Sequence, residues 1–171
     1  MCMRLFIAVL FDGSVLDRCA ALRDRLHDAS RGGSFVERDK LHLTLEFLGE
    51  CPQSSLARLT SVLDDLDFSP FDIRISSIGR FRRKDGDIWW LGTDHSDRLE
   101  SLQQRLHSML LDAGIRLEDR PYRPHITLAR RVQCIADVPQ VTPFCARAGN
   151  VSLVESVRTG HGFEYRPLYS V

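Results

Sequence analysis

Two tetrapeptides in this chain have residue types that could act on one substrate: His42-Leu43-Thr44-Leu45 and His125-Ile126-Thr127-Leu128. Their histidines lie 83 positions apart (42 to 125), near half of the 171 residues. With 6 His, 6 Thr, 23 Leu and 8 Ile in the chain, chance supplies about 0.005 copies of such a tetrapeptide, so the pair is an internal repeat. Each copy alternates polar and apolar residues, the pattern of a half-buried strand. Residues i and i+2 of a strand share a face, which sets an imidazole beside a hydroxyl about 7 Å apart at the Cα atoms. If the halves fold as similar lobes, two histidines and two threonines face one small ligand. Two imidazoles on opposite sides of a phosphorus atom are what in-line displacement at a cyclic phosphodiester requires. One takes a proton from attacking water and the other gives a proton to the departing ribose oxygen; an unperturbed pKa of about 6.5 permits both roles near neutral pH. The threonine hydroxyls can donate to the nonbridging oxygens. The strained ring contains its own leaving group, so neither metal nor cofactor is expected, and a catalytic zinc would need a third protein ligand that neither copy offers.

The elements that must position these residues are legible from periodicity. The apolar run 5–11 reads as a buried strand, and Ser14 is expected to cap a helix carrying Val15, Ala20, Leu22 and Leu26 that Gly32 and Gly33 end. Strand 41–48 places Leu41, Leu43, Leu45 and Phe47 on one face and His42, Thr44 and Glu46 on the other. A helical stripe comes next in Leu56, Leu59, Val62, Leu63 and Leu66. Strands 71–78 and 88–91 flank a basic hairpin tip with an Asp-Gly pair at 85–86. In the second half Ser96 is expected to cap a helix through Leu99, Leu102, Leu106, Met109 and Leu110, with Gly114 past its end, before strand 125–130. Short strands fit 144–148 and 151–157, with a last extended piece to Val171. Helices and strands interleave with short loops and no low-complexity linker, which predicts one α+β domain over 1–171 made of two pseudo-repeats.

Parity also assigns the neighbours of the repeat. Glu46 shares the face of His42, where it could orient the ring, although a solvated strand-end carboxylate is the commoner case. His27, His95, His107 and His161 have no partner pattern and read as surface or core residues.

Composition bounds the remainder. With 43% apolar and 27% charged residues the chain is globular in class. Its 23 basic and 23 acidic side chains cancel, which argues against coating nucleic acid through bulk charge. The basic residues are nearly all arginine, Lys40 and Lys84 being the exceptions; genome composition explains most of that bias, yet the guanidinium fork also suits phosphate oxygens. Cys2, Cys19, Cys51, Cys134 and Cys145 are odd in number and form no CxxC pair, which fits a reducing compartment. Run 5–11 is too short for a secretory signal and Asp12 comes directly after it, and no stretch approaches the roughly 18 apolar residues of a membrane span. A soluble, cytoplasmic protein is expected.

The residues resemble a known family nearly end to end. Arg4-Leu5-Phe6-Ile7-Ala8, Leu41-His42-Leu43-Thr44-Leu45-Glu46-Phe47-Leu48-Gly49, Trp90-Leu91-Gly92, Pro124-His125-Ile126-Thr127-Leu128-Ala129-Arg130 and Gly160-His161-Gly162-Phe163-Glu164-Tyr165-Arg166-Pro167-Leu168 resemble the 2H phosphoesterases, specifically the RNA 2′,3′-cyclic phosphodiesterases also called LigT-type 2′-5′ RNA ligases. The resemblance implies a bilobal fold of two pseudo-symmetric antiparallel sheets with flanking helices around a central groove. It implies opening of a 2′,3′-cyclic phosphate on an RNA end or nucleotide to a 2′-phosphate; separately, a monomer with no membrane partner is expected. His42 would then be the proton donor to O3′ and His125 the proton acceptor, with Thr44, Thr127 and Arg130 on the phosphate. The repeat is symmetric, so donor and acceptor come from the resemblance alone. Reversal to form a 2′-5′ linkage, or nucleotide binding with incidental catalysis, are the alternatives. Strand parity places Arg130 on the face opposite His125, so a bend or bulge at Ala129, or a side chain reaching back around the strand end, is required. Arg82, Arg83 and Lys84 read as a solvated hairpin tip, with RNA-backbone contact as the functional alternative. Phe6 or a tryptophan could stack on the terminal base, against the plainer reading of Trp89 and Trp90 as core.

Overall fold

The computed structural model describes residues 2–160 and 162–171; Met1 and His161, the latter expected to be a surface or core residue, lie outside them. The strands are β1 (Cys2–Leu10), β2 (Ser30–Arg31), β3 (Ser34–Phe35), β4 (His42–Pro52), β5 (Phe71–Phe81), β6 (Asp87–Thr93), β7 (His125–Val132), β8 (Cys134–Ile135), β9 (Phe144–Ala148), β10 (Ser152–Thr159) and β11 (Gly162–Ser170). The helices are α1 (Gly13–Asp28), α2 (Leu56–Asp64) and α3 (Asp97–Asp112). Ser96 caps α3 as expected, its hydroxyl accepting from the Leu99 N–H at 3.3 Å. For α1 the cap is Asp12, not Ser14. The Asp12 carboxylate accepts from the Val15 N–H at 3.0 Å and from the Ser14 hydroxyl at 2.7 Å, so Ser14 falls inside the first turn as a donor to the cap. No described helix is long and apolar enough to cross a membrane.

The main sheet runs β11-β10-β1-β4-β7-β6-β5-β9, with β3 added against β7; β2 and β8 pair separately. All its pairings are antiparallel. The lobes are therefore two halves of one sheet, and they meet at a single residue pair, Leu43 opposite Ile126. Either side of that pair β4 and β7 diverge, and β3 fills the edge of β7 beyond it through Ser34–Arg130 and Phe35–Ala129.

Each half contains the same unit, β1-α1-β4 or β6-α3-β7, and the helices are exchanged: α1 packs against β7 and α3 against β4. One apolar cluster accordingly joins both halves, with Leu5, Ile7, Leu43, Leu91, Leu106, Ile126 and Leu153 all at 0% exposure. Each such side chain contributes about 1.5–3 kcal/mol. The alternate residues of β1 serve the other face, where Phe6, Ala8 and Val154 pack with Leu10, Phe47 and Tyr165 in a second, small cluster.

Candidate active site

The single bridge between the halves decides the geometry. Antiparallel pairing of Leu43 with Ile126 places His42 across from Thr127 and Thr44 across from His125, all four on the face opposite the buried bridge residues. A pseudo-twofold axis passes through the bridge. In such a ladder the two histidines are diagonal neighbours, about 7–8 Å apart at Cα, which leaves room for a phosphate between their rings.

Both rings are held in the same way. His42 Nδ1 donates to the Lys40 carbonyl at 2.7 Å and His125 Nδ1 to the Arg123 carbonyl at 2.6 Å, the residue two positions back in each case. A proton fixed on Nδ1 directs Nε2 of each ring to the site. His42 Nε2 lies 3.1 Å from Thr44 Oγ1, which donates to it when the ring is neutral. Each imidazole is backed by two aromatic rings: His42 by Phe6 at 4.9 Å and Tyr165 at 5.3 Å, His125 by Phe81 at 5.2 Å and Trp90 at 6.1 Å. Burial against these rings pushes both imidazoles below their ordinary pKa. The bonds to the carbonyls work in the opposite direction, and the charge of Arg130 lowers both further.

Each strand bulges at the last residue of its copy of the repeat. In β7, Thr127 pairs with Trp90 and Ala129 with Trp89, so Leu128 is the extra residue. In β4, Thr44 pairs with Ala8 and Glu46 with Ile7, so Leu45 is its counterpart. The extra residue reverses the parity of the residues beyond it. Leu128 and Ala129 are both buried in succession, and Arg130 emerges on the face of His125, where its charge reaches both histidines. The break expected at Ala129 falls one residue earlier, at Leu128, and Ala129 itself pairs with Trp89.

The same reversal overturns both readings of Glu46. It lies on the core side, 8% exposed, neither beside His42 nor solvated. Its carboxylate accepts from Gln103 Nε2 at 2.5 Å and lies 2.8 Å from His107 Nδ1, both on α3. His107 thus has a partner that its own surroundings in the sequence did not show. Tyr122, half-buried nearby, donates from its hydroxyl to the Thr44 carbonyl at 3.2 Å, and desolvation raises its phenol far above the ordinary value.

The aromatic expectations divide. Phe6 is 2% exposed and backs His42, so it offers no free face to a base. Trp89 is core. Trp90 lies on Gly79 and Gly92, where a Cβ would collide with the indole, and these two glycines are the reason it can reach His125. Sequence reasoning missed Phe81 and Tyr165 as partners of the histidines; Tyr165 stands in the C-terminal motif, and Phe81 carries no signal. Among the described residues no three His, Cys, Asp or Glu side chains come together to hold a metal.

Two diagonal imidazoles on a bilobal sheet, each paired with a threonine, define a 2H phosphoesterase. The chain belongs to the 2′-5′ RNA ligase superfamily, whose family model matches residues 11–159. A relative from Methanothermobacter thermautotrophicus named RNA 2′,3′-cyclic phosphodiesterase is 30% identical over 99% of this chain and 96% of its own. One of the same name from Thermus thermophilus is 33% identical over 82% of this chain and 73% of its own. Among solved structures, E. coli LigT complexed with 3′-AMP superimposes with a TM-score of 0.85 at 25% identity, covering 100% of this chain and 98% of that one.

Proposed function

We propose that this chain, acting as a single 2H phosphoesterase domain, opens the 2′,3′-cyclic phosphate at an RNA end to a 2′-phosphate and a free 3′-hydroxyl. The observation that carries this reading is the pair of imidazoles presenting Nε2 from diagonal positions, with Arg130 turned onto their face by the bulge. Water attacks phosphorus opposite O3′ while His125 Nε2 takes its proton. The P–O3′ bond breaks as protonated His42 gives its Nε2 proton to O3′. Thr44, Thr127 and Arg130 hold the nonbridging oxygens, whose charge grows in the transition state. The family resemblance supports this donor and acceptor order; the symmetric geometry would serve either. No step uses a metal. The names of the curated relatives and the nucleotide bound to the E. coli protein support the substrate class.

The family description favours one further reading: with an RNA 5′-hydroxyl in place of water as the nucleophile, the same two histidines open the ring with loss of O3′ and form a 2′-5′ linkage. Incubation with 2′,3′-cyclic AMP, with and without EDTA, tests the main reading. The expected product is 2′-AMP at an unchanged rate in EDTA. A 3′-AMP product would reverse the leaving group, and the absence of turnover on any cyclic phosphate would leave only nucleotide binding.

A further inference from the structure

The β5–β6 hairpin carries Arg82, Arg83 and Lys84 at its tip, all exposed. It is held firmly against β7. Gly86 has φ +109°, and a Cβ there would lie 2.6 Å from the Arg131 carbonyl carbon, so only glycine permits this close approach. Gln133 Nε2 donates to the Asp85 carbonyl at 3.0 Å, and the Arg83 N–H donates to Asp87 Oδ1 at 3.4 Å. Gly86 of the tip therefore touches the Arg131 backbone, next in the chain to Arg130, so the basic residues of the tip and of the end of β7 adjoin as one band.

That charge is not neutralised within the protein. Arg23, Arg38, Arg74 and Arg147 each lie against a carboxylate. Among the described residues Arg82, Arg83, Lys84, Arg130 and Arg131 have no such partner, and of the two acids in the hairpin turn Asp87 is taken up by Arg80 at 2.9 Å. Five cations face one free carboxylate, in a chain whose net charge is zero. The opposite lobe has less free charge: near the β10–β11 turn Glu164 and Arg166 pair with one another at 2.8 Å, and among the described residues of these two strands Arg158 alone is a cation without a carboxylate partner.

We propose that Arg82, Arg83, Lys84 and Arg131 form a second phosphate-binding subsite that holds the RNA backbone 5′ of the reacting ribose, making a single-stranded RNA end the preferred substrate over a cyclic mononucleotide. The inference rests on the proposed function. A 2′,3′-cyclic phosphate is by its chemistry a 3′ end, so the rest of the strand leaves the site in one direction only, and a one-sided basic band matches that polarity. Arginine forks and a lysine ammonium bind phosphate oxygens without reading bases.

The test compares wild type with the R82A/R83A/K84A variant on 2′,3′-cyclic AMP and on a short RNA ending in the cyclic phosphate, over a range of salt. Wild type should prefer the RNA. The variant should lose at least about tenfold in kcat/KM on RNA with turnover of cyclic AMP unchanged, and its log–log salt slope should fall by about 2, since each single-strand phosphate contact contributes about 0.7. Equal loss on both substrates, or no loss on RNA, would overturn the inference. Fluorescence anisotropy with the same RNA ending in a 3′-phosphate reads the subsite without turnover. If wild type turns over neither cyclic substrate, the proposed function fails, while weakened binding of that RNA by the variant still upholds the subsite and unweakened binding removes it.

Discussion

The two central strands hold the same tetrapeptide, the same bulge and the same ring-to-carbonyl bond, yet they diverge immediately afterward. Position 46 in β4 is a glutamate buried against α3, whereas its counterpart 129 in β7 is an alanine at 0% exposure. Position 47 is a phenylalanine stacked on Phe6 at 5.9 Å, and its counterpart 130 is an exposed arginine. Both histidines have an aromatic backing, but beyond the bulge one lobe adds a further apolar ring behind Phe6 and the other adds positive charge. A symmetric scaffold can present two titrating groups, but an asymmetric reaction needs this difference. In the proposed reaction the duplicated part serves proton transfer, and the part that diverged holds the anion to one side.

The shared part of the comparison carries the largest expected effect. Replacing His42 or His125 by alanine should each lower kcat on 2′,3′-cyclic AMP by about 10²–10⁴-fold, with the double variant losing far less than the product of the two. Circular dichroism should show both variants folded, since neither ring belongs to the large apolar cluster. Substantial activity in both single variants would break the equivalence of the lobes.

Arg130 is the next strongest test, because Phe47 cannot replace it. Arg130→Ala should cost about 10²–10³-fold in kcat/KM, the usual loss of a charge-stabilising donor. Lysine should restore only part, lacking the planar fork. Loss of Arg130 also removes a positive charge that lowers both imidazoles, so the pH profile of kcat/KM should move to higher pH. An unchanged profile would mean that its charge does not reach the histidines.

Glu46 tests the buried side. Glu46→Ala makes β4 resemble β7 at this position, but it leaves Gln103 and His107 without their acceptor. We expect a loss of about 1–3 kcal/mol in urea unfolding, with turnover of cyclic AMP reduced much less than in the histidine variants. Stability equal to wild type would show that this polar link between α3 and β4 is dispensable.

The paired histidines, the order of the helices and longer strands, and the basic tip are legible in the sequence because each depends on local pattern: a duplicated tetrapeptide, apolar spacing, an Asp-Gly turn; the two-residue strands β2, β3 and β8 are too short to show a period. Glu46 escapes such a reading because counting alternate residues assumes an unbroken ladder. Leu45 and Leu128, the extra residues, are apolar like their neighbours and give no sign of the break. The need for Arg130 to face His125 is the one hint of the bulge in β7, and the repeat would carry it to β4. Gln103 and His107 offer another: two polar residues four apart beside the stripe Leu99, Leu102, Leu106 and Leu110 imply a polar partner in the layer beneath. The exchanged packing of α1 and α3 leaves no local trace, since it joins segments far apart in the chain.

The smallest expected effect concerns pH and bears on what the two lobes share. The proposed reaction requires one imidazole protonated and the other neutral. In the free enzyme both lie below about 6.5, the unperturbed value, so the singly protonated form is most populated on the acid side of that value. The optimum of kcat/KM should fall there. A bound cyclic phosphate carries one negative charge and favours the protonated ring, so the kcat optimum should lie at higher pH than that of kcat/KM. Stability moves in a related way: below about pH 6.5 the unfolded chain takes up protons that the buried rings resist, so stability falls as pH decreases toward the lowered folded values. Replacing His42 by glutamine should flatten that part of the stability curve and His125 by glutamine should do the same, because both rings are lowered by burial and by the charge of Arg130. A flattening in only one variant would show that the lobes differ at the imidazoles themselves and not only beyond the bulge.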